Sequence, residues 1–574
     1  MYKNNANNRL YQSYKELYSD NSISLLESFI EQLDDIKSKL SIQETNLDWY
    51  KDATVYSLYV DLFNKNFSGL TDKINYLKDL GVSCLWLLPI LDSPMRDAGF
   101  DIKDYKRIRK NLFRLPDTAS AEDEKILFKR FLDEAHAKGM RVIFDIALNH
   151  TSIEHTWFQE SRKSIDNPYR DFYIWNNDTE KYKEARLLFK GMCPSNWEKD
   201  GDCYFFHRFF EFQPDLNYRN PEVLLAMAEN LVFWLEQGVD GFRADAIPYI
   251  WKEEGTNCEN LPKTHTVVKC FRAVLDYVKP GTLMLAEACQ KPNDVVEYIK
   301  TGDECHAAYH FPLMPQMFKA IAMENAEPIL NALSPNVTPN IPADSQWFTF
   351  LRCHDELSLE LVYVNEEDRA YIHKNYCHQP EWDFRIGEGI SARISELFKF
   401  DINKISLAYS IMLSLPGTPV IYYGDEFGKA NDDDYYREMI QMTGKNDTRF
   451  LVRGKIDWED VEKQLSDDNS FNAIIFKRLK KLINTRKLFK AFGRGSIEWL
   501  DFKKTSQNDL LAFKRKYKEE ELLILHNLSK SNQSIDIQLN TSLDLLDQNL
   551  ISENGKLVIP AGGFYWLSKD QWKD

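Results

Sequence analysis

The spacing of apolar residues changes at about residue 55. Residues 1–50 are polar and rich in Asn, Lys and Glu, but their apolar positions recur at three- and four-residue intervals. These positions are Leu25, Leu26, Phe29, Ile30, Leu33, Ile36 and Leu40. Such spacing is typical of amphipathic helices, so we predict a small N-terminal helical extension.

After residue 55, short apolar or aromatic runs alternate with longer segments of helical period. The runs are residues 55–63, 84–90, 141–148, 241–246, 283–288, 309–313, 347–354 and 419–427. Helical stretches such as 71–80, 123–138, 221–237 and 264–277 lie between them. Eight strands alternating with helices predict an α/β fold, a closed parallel (β/α)₈ TIM barrel, over residues 51–149 and 219–480.

Two further parts are expected outside the barrel. The interval after the third strand, residues 150–218, is too long and irregular for a loop, and therefore indicates an inserted subdomain. Beyond residue 480, residues 510–516, 521–526, 534–539 and 564–567 alternate in polarity. This alternation predicts a C-terminal antiparallel β-sandwich domain over residues 481–574.

Charge and composition exclude several classes of partner. Lys and Arg number 72 against 88 Asp and Glu, a net charge of −16, which disfavours nucleic acid and anionic membranes. No apolar run reaches the ~18 residues of a membrane span, and the N-terminus has no secretory signal pattern. Nine cysteines without CxxC pairs favour reduced thiols, and so we expect a cytoplasmic protein.

The C-terminal ends of the predicted strands carry polar and charged residues. In chain order they are Asp145, Asn149, His150, Arg243, Asp245, Glu287, His354 and Asp355. In a parallel barrel these ends meet at one rim, where catalytic groups gather. Buried carboxylates are costly unless they are paired or used, so their joint occurrence predicts a site. Two carboxyl groups on adjacent strands suit glycosidic-bond chemistry, with one as nucleophile and one as acid.

Four segments at these strand ends resemble a known family. FDIALNH, GFRADA, LAEA and LRCHDE are similar to the signature segments of the α-amylase superfamily of retaining α-glycosidases, glycoside hydrolase family 13. QPDLN at residues 213–217 resembles its fifth segment. Residues 254–265 and 302–315 resemble, more narrowly, the trehalose synthase (maltose α-D-glucosyltransferase) subfamily.

The resemblance implies a role for each matching residue. Asp245 would be the nucleophile, Glu287 the general acid/base and Asp355 the transition-state stabiliser. The implied substrate-binding residues are Asp97, Phe100, His150, Arg243, His354 and Arg453. Of these, Asp97 and Arg453 would close the pocket at the terminal glucose, and Phe100 stands where the family usually has Tyr.

The resemblance also raises the question of calcium. Residues 64–69, in the place of an acidic calcium loop, retain no carboxylate. At a second family site Asn149, Asp215 and Tyr249 would be ligands, but Lys252 occupies the position of a Glu. We expect Lys252 to replace the ion, so that no metal or other cofactor is bound. The alternative is that Glu253 reaches a calcium ion instead.

The implied activity is interconversion of maltose and trehalose by intramolecular glucosyl transfer through a covalent glucosyl-enzyme. The alternative is an α-glucosidase or trehalose-hydrolysing enzyme with the same residues. A non-catalytic relative would be expected to lack a catalytic carboxylate or to carry a membrane anchor, and neither holds here. The expected partners are small α-glucosides, maltose and trehalose, and neither nucleic acid nor membrane.

Overall fold

A computed structural model describes residues 2–40, 46–116, 119–189, 192–502, 508–553 and 555–573. Eight parallel strands close into a barrel in sequence order, because the last strand pairs with the first through Tyr56 and Ile421. The strands are β1 (Val55–Leu58), β2 (Cys84–Leu87), β3 (Arg141–Ala147), β4 (Gly241–Asp245), β5 (Leu283–Ala286), β6 (Ala307–Tyr309), β7 (Gln346–Phe350) and β8 (Thr418–Tyr422). The predicted barrel is confirmed.

Helices surround the barrel, and local capping sets their ends. Those up to β4 are Val60–Asn64, Phe67–Asp72, Ile74–Leu80, Ala121–Ala137 and Pro221–Gln237. Those from β4 to β7 are Pro262–Val278, Pro292–Glu297, Leu313–Met323 and Glu327–Ala332. The remainder are Glu366–Tyr376, Ile394–Leu397, Ile402–Ser414, Asp433–Thr443, Trp458–Ser466, Phe471–Leu488 and Ala491–Arg494. In Pro221–Gln237, Asn220 caps the start and Gly238, in the left-handed region, ends the helix.

Each barrel strand is shorter than its predicted run, and two of the runs extend into an α-helix. The first run, 55–63, ends as a strand at Leu58, and a short helix begins at Val60. The sixth, predicted at 309–313, lies at Ala307–Tyr309, because Leu313 already begins the next helix. Short apolar runs fit either structure, so periodicity alone could not separate strand from helix there.

The N-terminal extension forms two helices, Tyr2–Leu17 and Ile23–Lys39, as the spacing predicted. They pack on the barrel helix Pro262–Val278. Arg9 forms an ion pair of 2.7 Å with Asp276, and the Tyr18 hydroxyl donates to the Tyr218 carbonyl at 2.8 Å. On the second helix, Leu26 and Leu33 are fully buried. The extension is therefore part of the barrel's outer layer.

The segment after β3 folds as a small unit over the rim. It contains the helix Thr156–Ser161 and a three-stranded antiparallel sheet of Trp175–Asn176, Cys203–Phe206 and Trp197–Asp200. Phe158 stacks on Trp175 at 5.5 Å and forms its core. A β-bridge between His150 and Asp215 joins this unit back to the barrel.

Short strands also follow β2 and β7. Leu91–Asp92 pairs with Asp104–Ile108, and the loop between them reaches the rim. Leu357–Ser358, Gly389–Ile390 and Asp383–Phe384 form a three-stranded sheet beside β7.

The C-terminal part is antiparallel, as predicted. One sheet comprises Ser496–Leu500, Leu510–Tyr517, Glu520–Asn527 and Phe564–Ser568. Smaller sheets comprise Gln533–Ile535 with Lys556–Ile559 and Ile551–Glu553, and Gln538–Leu539 with Trp572–Lys573. Trp566 Nε1 donates to Ser410 Oγ at 3.0 Å, which fixes this domain to the barrel. Across the described ranges, no helix combines the length and apolarity needed to cross a membrane.

Candidate active site

The strand register brings the predicted polar residues to one rim. Asp145 in β3 pairs with Arg243 in β4, and Ala147 pairs with Asp245. Glu287 directly follows β5, whose Ala286 pairs with Ala244. His354 and Asp355 follow β7 by a few residues. Adjacent parallel strands thus present the three carboxylates and the arginine side by side.

Arg243 lies at the centre of the carboxylates. Its Nη1 donates to Asp245 Oδ1 at 2.6 Å and to Asp145 Oδ1 at 2.7 Å, and its Nη2 lies 3.7 Å from Glu287 Oε1. The arginine side chain is only 4% exposed. Trp86 Nε1 donates to the other oxygen of Asp145 at 2.9 Å. One guanidinium therefore balances three carboxyl groups in a buried place.

Burial and mutual repulsion act on the protonation of this cluster. Burial raises the pKa of Asp145 to about 6, against the opposing effect of Arg243. Burial, Glu287 and Asp145 likewise raise the pKa of Asp245, and Arg243 again opposes the shift. With one guanidinium for three acids, the cluster favours keeping a proton at neutral pH.

The two oxygens of Glu287 have different surroundings. The backbone N–H of Ala246 donates to Oε2 at 3.0 Å, and Cys289 Sγ lies 3.5 Å from Oε1. Ala246 has a φ of 56°, in the left-handed region that a non-glycine residue rarely adopts. The turn after β4 therefore holds Ala246 in a strained conformation in which its N–H points at Glu287.

Asp355 lies among cationic and hydrogen-bonding groups. Its Oδ1 is 2.9 Å from Arg453 Nη2 and 3.2 Å from Arg449 Nη1, and its Oδ2 is 3.0 Å from His354 Nε2. Burial acts to raise the pKa of Asp355, but the hydrogen bond with His354 and the charges of the two arginines outweigh it and hold the pKa below its usual range. Asp355 is therefore a carboxylate at neutral pH.

The arginine that faces Asp97 is not the one predicted. Arg449 Nη2 lies 3.5 Å from Asp97 Oδ1, whereas Arg453 binds Asp355 and donates from Nε to the His354 carbonyl at 2.7 Å. The prediction of an Asp97–Arg453 contact is corrected to Asp97–Arg449. The reason is Asp447, whose ion pair of 2.6 Å with Arg449 turns that side chain toward Asp97.

The remaining predicted residues line the same pocket. Phe100 stacks on His354 at 5.6 Å and lies 5.5 Å from the Arg243 guanidinium. His150 lies 3.3 Å from Gln213 Nε2, which donates to Asp97 Oδ2 at 3.0 Å. Burial lowers the pKa of His150 to about 4 and that of His354 to about 3, so both are neutral hydrogen-bonding groups.

The pocket holds a cavity of about 120 Å³, with several residues that sequence reasoning did not single out. The additional lining residues are Leu188, Phe189, Phe209, Cys289, Glu356, Glu360, Arg385 and Arg449. Glu356 lies in the LRCHDE segment and could have been identified from that motif, whereas Arg385 belongs to no motif.

A larger cavity of about 650 Å³ lies between the barrel and the C-terminal domain, and none of the rim carboxylates lines it.

Lys252 decides whether calcium fits the second family site. Its Nζ donates to Asn149 Oδ1 at 2.7 Å and forms an ion pair of 2.7 Å with Asp215 Oδ2. Burial lowers the pKa of Lys252, and Asp215 opposes this. An ammonium group already lies between the two oxygens that a calcium ion would need, so the donor set does not fit the ion.

Two other candidate metal positions also do not fit a cation. In residues 64–69, Asn64 Nδ2 donates to the Gly69 carbonyl at 2.8 Å and Asn66 Oδ1 accepts from the Gly69 N–H at 3.0 Å, so both amides serve the turn. Within the described ranges, one Cys-His-Asp cluster has metal-like spacing, Cys353, His354 and Asp355. The two arginines on Asp355 disfavour a cation there.

Comparison with known proteins agrees with this geometry. The family model described as "Alpha amylase, catalytic domain" matches residues 63–495, and "Alpha-amylase SusG C-terminal domain" matches residues 510–561. The chain belongs to the α-amylase family. It is an enzyme of the glycoside hydrolase family 13 type, a glucosyltransferase/isomerase or an α-glucosidase.

Relatives within the family include several trehalose synthases. "Trehalose synthase/amylase TreS" of Mycobacterium tuberculosis is 38% identical over 561 residues, 90% of each chain. The trehalose synthase of Pimelobacter sp. is 38% identical and covers 91% of this chain and 96% of its own. Among solved structures, the α-amylase from H. orenii has a TM-score of 0.68 at 24% identity, covering 90% of this chain and 99% of its own, which shows the shared fold.

The lysine at the calcium position leads to a prediction about metal. We expect a chelator to leave the melting temperature and the activity unchanged, because Lys252 supplies the cation that ties Asp215 to Asn149. Lys252→Met should lower the melting temperature by several degrees, since it leaves the buried Asp215 carboxylate without its counter-charge. Lys455→Met, at an exposed ion pair with Glu438, is the matched control and should have little effect.

Thermal unfolding with and without chelator, together with metal analysis of the purified protein, measures this. A fall of several degrees on chelation, or one equivalent of calcium retained through purification, would show that Glu253 or another ligand binds the ion after all.

Proposed function

We propose that this enzyme interconverts maltose and trehalose by intramolecular glucosyl transfer. The observation that carries the proposal is the cluster of Asp245, Glu287 and Asp355 around a small pocket, in a chain 38% identical to trehalose synthases over nearly its full length. The terminal glucose of the substrate would lie between Phe100 and the rim carboxylates, with Asp97 and Arg449 at its far end.

In the first step Asp245 attacks the anomeric carbon. Arg243 donates to Asp245 Oδ1, so Oδ2 is the oxygen left to form the bond. Glu287 gives its proton to the glycosidic oxygen as the carbon–oxygen bond breaks, which releases glucose. Oε1 is the oxygen for this proton, since Oε2 accepts from the Ala246 N–H. Asp355, held as a carboxylate, binds ring hydroxyls and stabilises the positive charge that develops.

In the second step the released glucose turns within the pocket. Its anomeric hydroxyl attacks the glucosyl carbon, Glu287 takes the hydroxyl proton, and the bond to Asp245 breaks. Trehalose results. Attack by water on the same intermediate would free the glucosyl unit as a second glucose and restore Asp245, so exclusion of water decides between transfer and hydrolysis.

Contacts across the pocket mouth support exclusion of water. Arg385, on the loop beside β7, lies 4.4 Å from the ring of Phe189 in the inserted unit and 3.8 Å from Glu360. Arg186 of the inserted unit lies 3.9 Å from the same glutamate. Lys445 joins Glu211 of the inserted unit at 3.0 Å. The inserted unit is thus braced against the barrel on two sides of the pocket.

Incubation of the purified protein with maltose tests the proposal directly. Trehalose as the main early product, with glucose a minor one, is the expected result. Glucose as the main product would instead assign the chain to the α-glucosidases, and consumption of trehalose to glucose alone would assign it to trehalose hydrolysis.

Replacement of the Asp245 or the Glu287 carboxyl group by an amide should abolish turnover without unfolding the protein. We expect Asp245→Asn and Glu287→Gln to lower kcat for maltose by about 10⁴-fold or more, because water cannot replace either role. Since burial raises the pKa of Asp245, its ionisation opposes folding, and Asp245→Asn should melt at the same or a higher temperature.

Asp468→Asn and Glu438→Gln, with exposed side chains, are the matched controls. Either active-site variant retaining a near-native rate would overturn the assignment of nucleophile or acid.

Weakening the contacts between the inserted unit and the barrel across the pocket mouth should admit water and shift the reaction toward hydrolysis. We expect Arg385→Met to raise the ratio of glucose to trehalose about fivefold, because the cation–π contact of Arg385 with Phe189 across the pocket mouth contributes on the order of 1 kcal/mol. Arg437→Met removes an exposed arginine and should leave the ratio unchanged. An unaltered ratio for Arg385→Met, measured by product chromatography from maltose, would refute closure at this position.

A further inference from the structure

The loop that carries Asp97 has a strained backbone. It connects Leu91–Asp92 to Asp104–Ile108, and three of its residues have positive φ: Met95 at 63°, Ala98 at 49° and Gly99 at 99°. A Cβ on Gly99 would lie 2.6 Å from the Pro89 side chain. A non-glycine residue in this region is strained, because its Cβ comes too close to the following carbonyl oxygen. Such a loop keeps its shape only where surrounding contacts hold it.

Asp101 supplies those contacts from inside the loop. Its side chain has no exposed surface. The Arg96 N–H donates to Oδ2 at 3.1 Å, and the Asp97 N–H and the Ser93 hydroxyl donate to Oδ1 at 3.2 and 2.9 Å. The Met95 N–H donates in turn to Ser93 Oγ at 2.9 Å. The carboxyl group of Asp101 thus accepts hydrogen bonds from the backbone N–H groups of both Arg96 and Asp97.

A carboxylate is the group that these donors require. All three contacts are donors, so both oxygens must accept, and an amide would turn an NH₂ group toward at least one N–H. In the described ranges no basic side chain forms an ion pair with Asp101. Burial and the charge of Asp97 raise the pKa of Asp101 to about 6, so the protein tolerates a costly carboxyl group here.

We propose that Asp101 is a positioning residue for substrate recognition: by holding the Arg96–Asp97 peptide it fixes the Asp97 carboxylate against Arg449 and Gln213 at the far end of the pocket. The inference rests on the proposed function, in which that end of the pocket binds the terminal glucose. Asp101 itself lies behind the loop and acts through Asp97 alone.

A double-mutant cycle tests this action through Asp97. The substrate is 4-nitrophenyl α-D-glucoside, whose cleavage reports both transfer and hydrolysis. We expect Asp97→Asn to lower kcat/KM about 100-fold and Asp101→Asn about 10-fold or more. The double variant should be no worse than Asp97→Asn within about threefold, because the second change has nothing further to misplace.

Two more variants separate positioning from general destabilisation. Ser93→Ala removes one donor to Asp101 and can replace Asp101→Asn in the cycle if that variant folds poorly. The fall in kcat/KM that Ser93→Ala causes should also disappear when Asp97 is already Asn. Asp104→Asn, in the same hairpin, removes a carboxyl that accepts from the Lys106 N–H at 2.8 Å and should leave kcat/KM within twofold.

Losses that multiply in the double variants would overturn the proposal, as would a near-native kcat/KM for both Asp101→Asn and Ser93→Ala. Absence of turnover in the unchanged enzyme would contradict the proposed function instead. In that case the affinity of the same variants for glucose, measured by calorimetry, reports the coupling between Asp101 and Asp97. Additive losses of affinity in the double variant would overturn the positioning role of Asp101.

Discussion

The site depends on one buried guanidinium. Arg243 contacts Asp145 and Asp245 within 2.7 Å and lies 3.7 Å from Glu287, with 4% of its side chain exposed. Without it, three carboxyl groups would be buried together with no counter-charge, at a cost of several kcal/mol for each ion. With it, the cluster holds fewer positive than negative charges, which keeps a proton available.

The barrel supplies the geometry that the guanidinium needs. Adjacent strands β3, β4 and β5 present Asp145, Arg243 with Asp245, and Glu287 at neighbouring register positions. The loops then add cations where the strands supply none. Arg449 and Arg453 hold Asp355, and Lys252 joins Asp215 of the inserted unit to the barrel. A chain of net charge −16 thus concentrates buried cations around its pocket.

Strand-end reasoning and motif resemblance together located the main groups in the sequence. Asp245, Glu287 and Asp355 were predictable because a parallel barrel brings its strand ends to one rim. The sixth strand was misplaced because the aromatic run that includes Tyr309 and Leu313 fits a strand or a helix equally well. The exchange of Arg449 for Arg453 was not predictable, since the two lie four residues apart around a short 3₁₀ turn. Tertiary contacts orient them: Asp447 pairs with Arg449, and Arg453 binds the His354 carbonyl. Arg385 reaches the pocket through tertiary packing and leaves no local signal.

The central claim is that one glucose leaves and re-attacks without escaping from the pocket. Maltose incubated with an excess of ¹³C-labelled free glucose measures this most directly, with early trehalose analysed by mass spectrometry. The account predicts trehalose that is almost entirely unlabelled, since both rings come from the same maltose molecule. Trehalose carrying label in one ring in proportion to the added glucose would contradict it, because the acceptor would then have entered from solution.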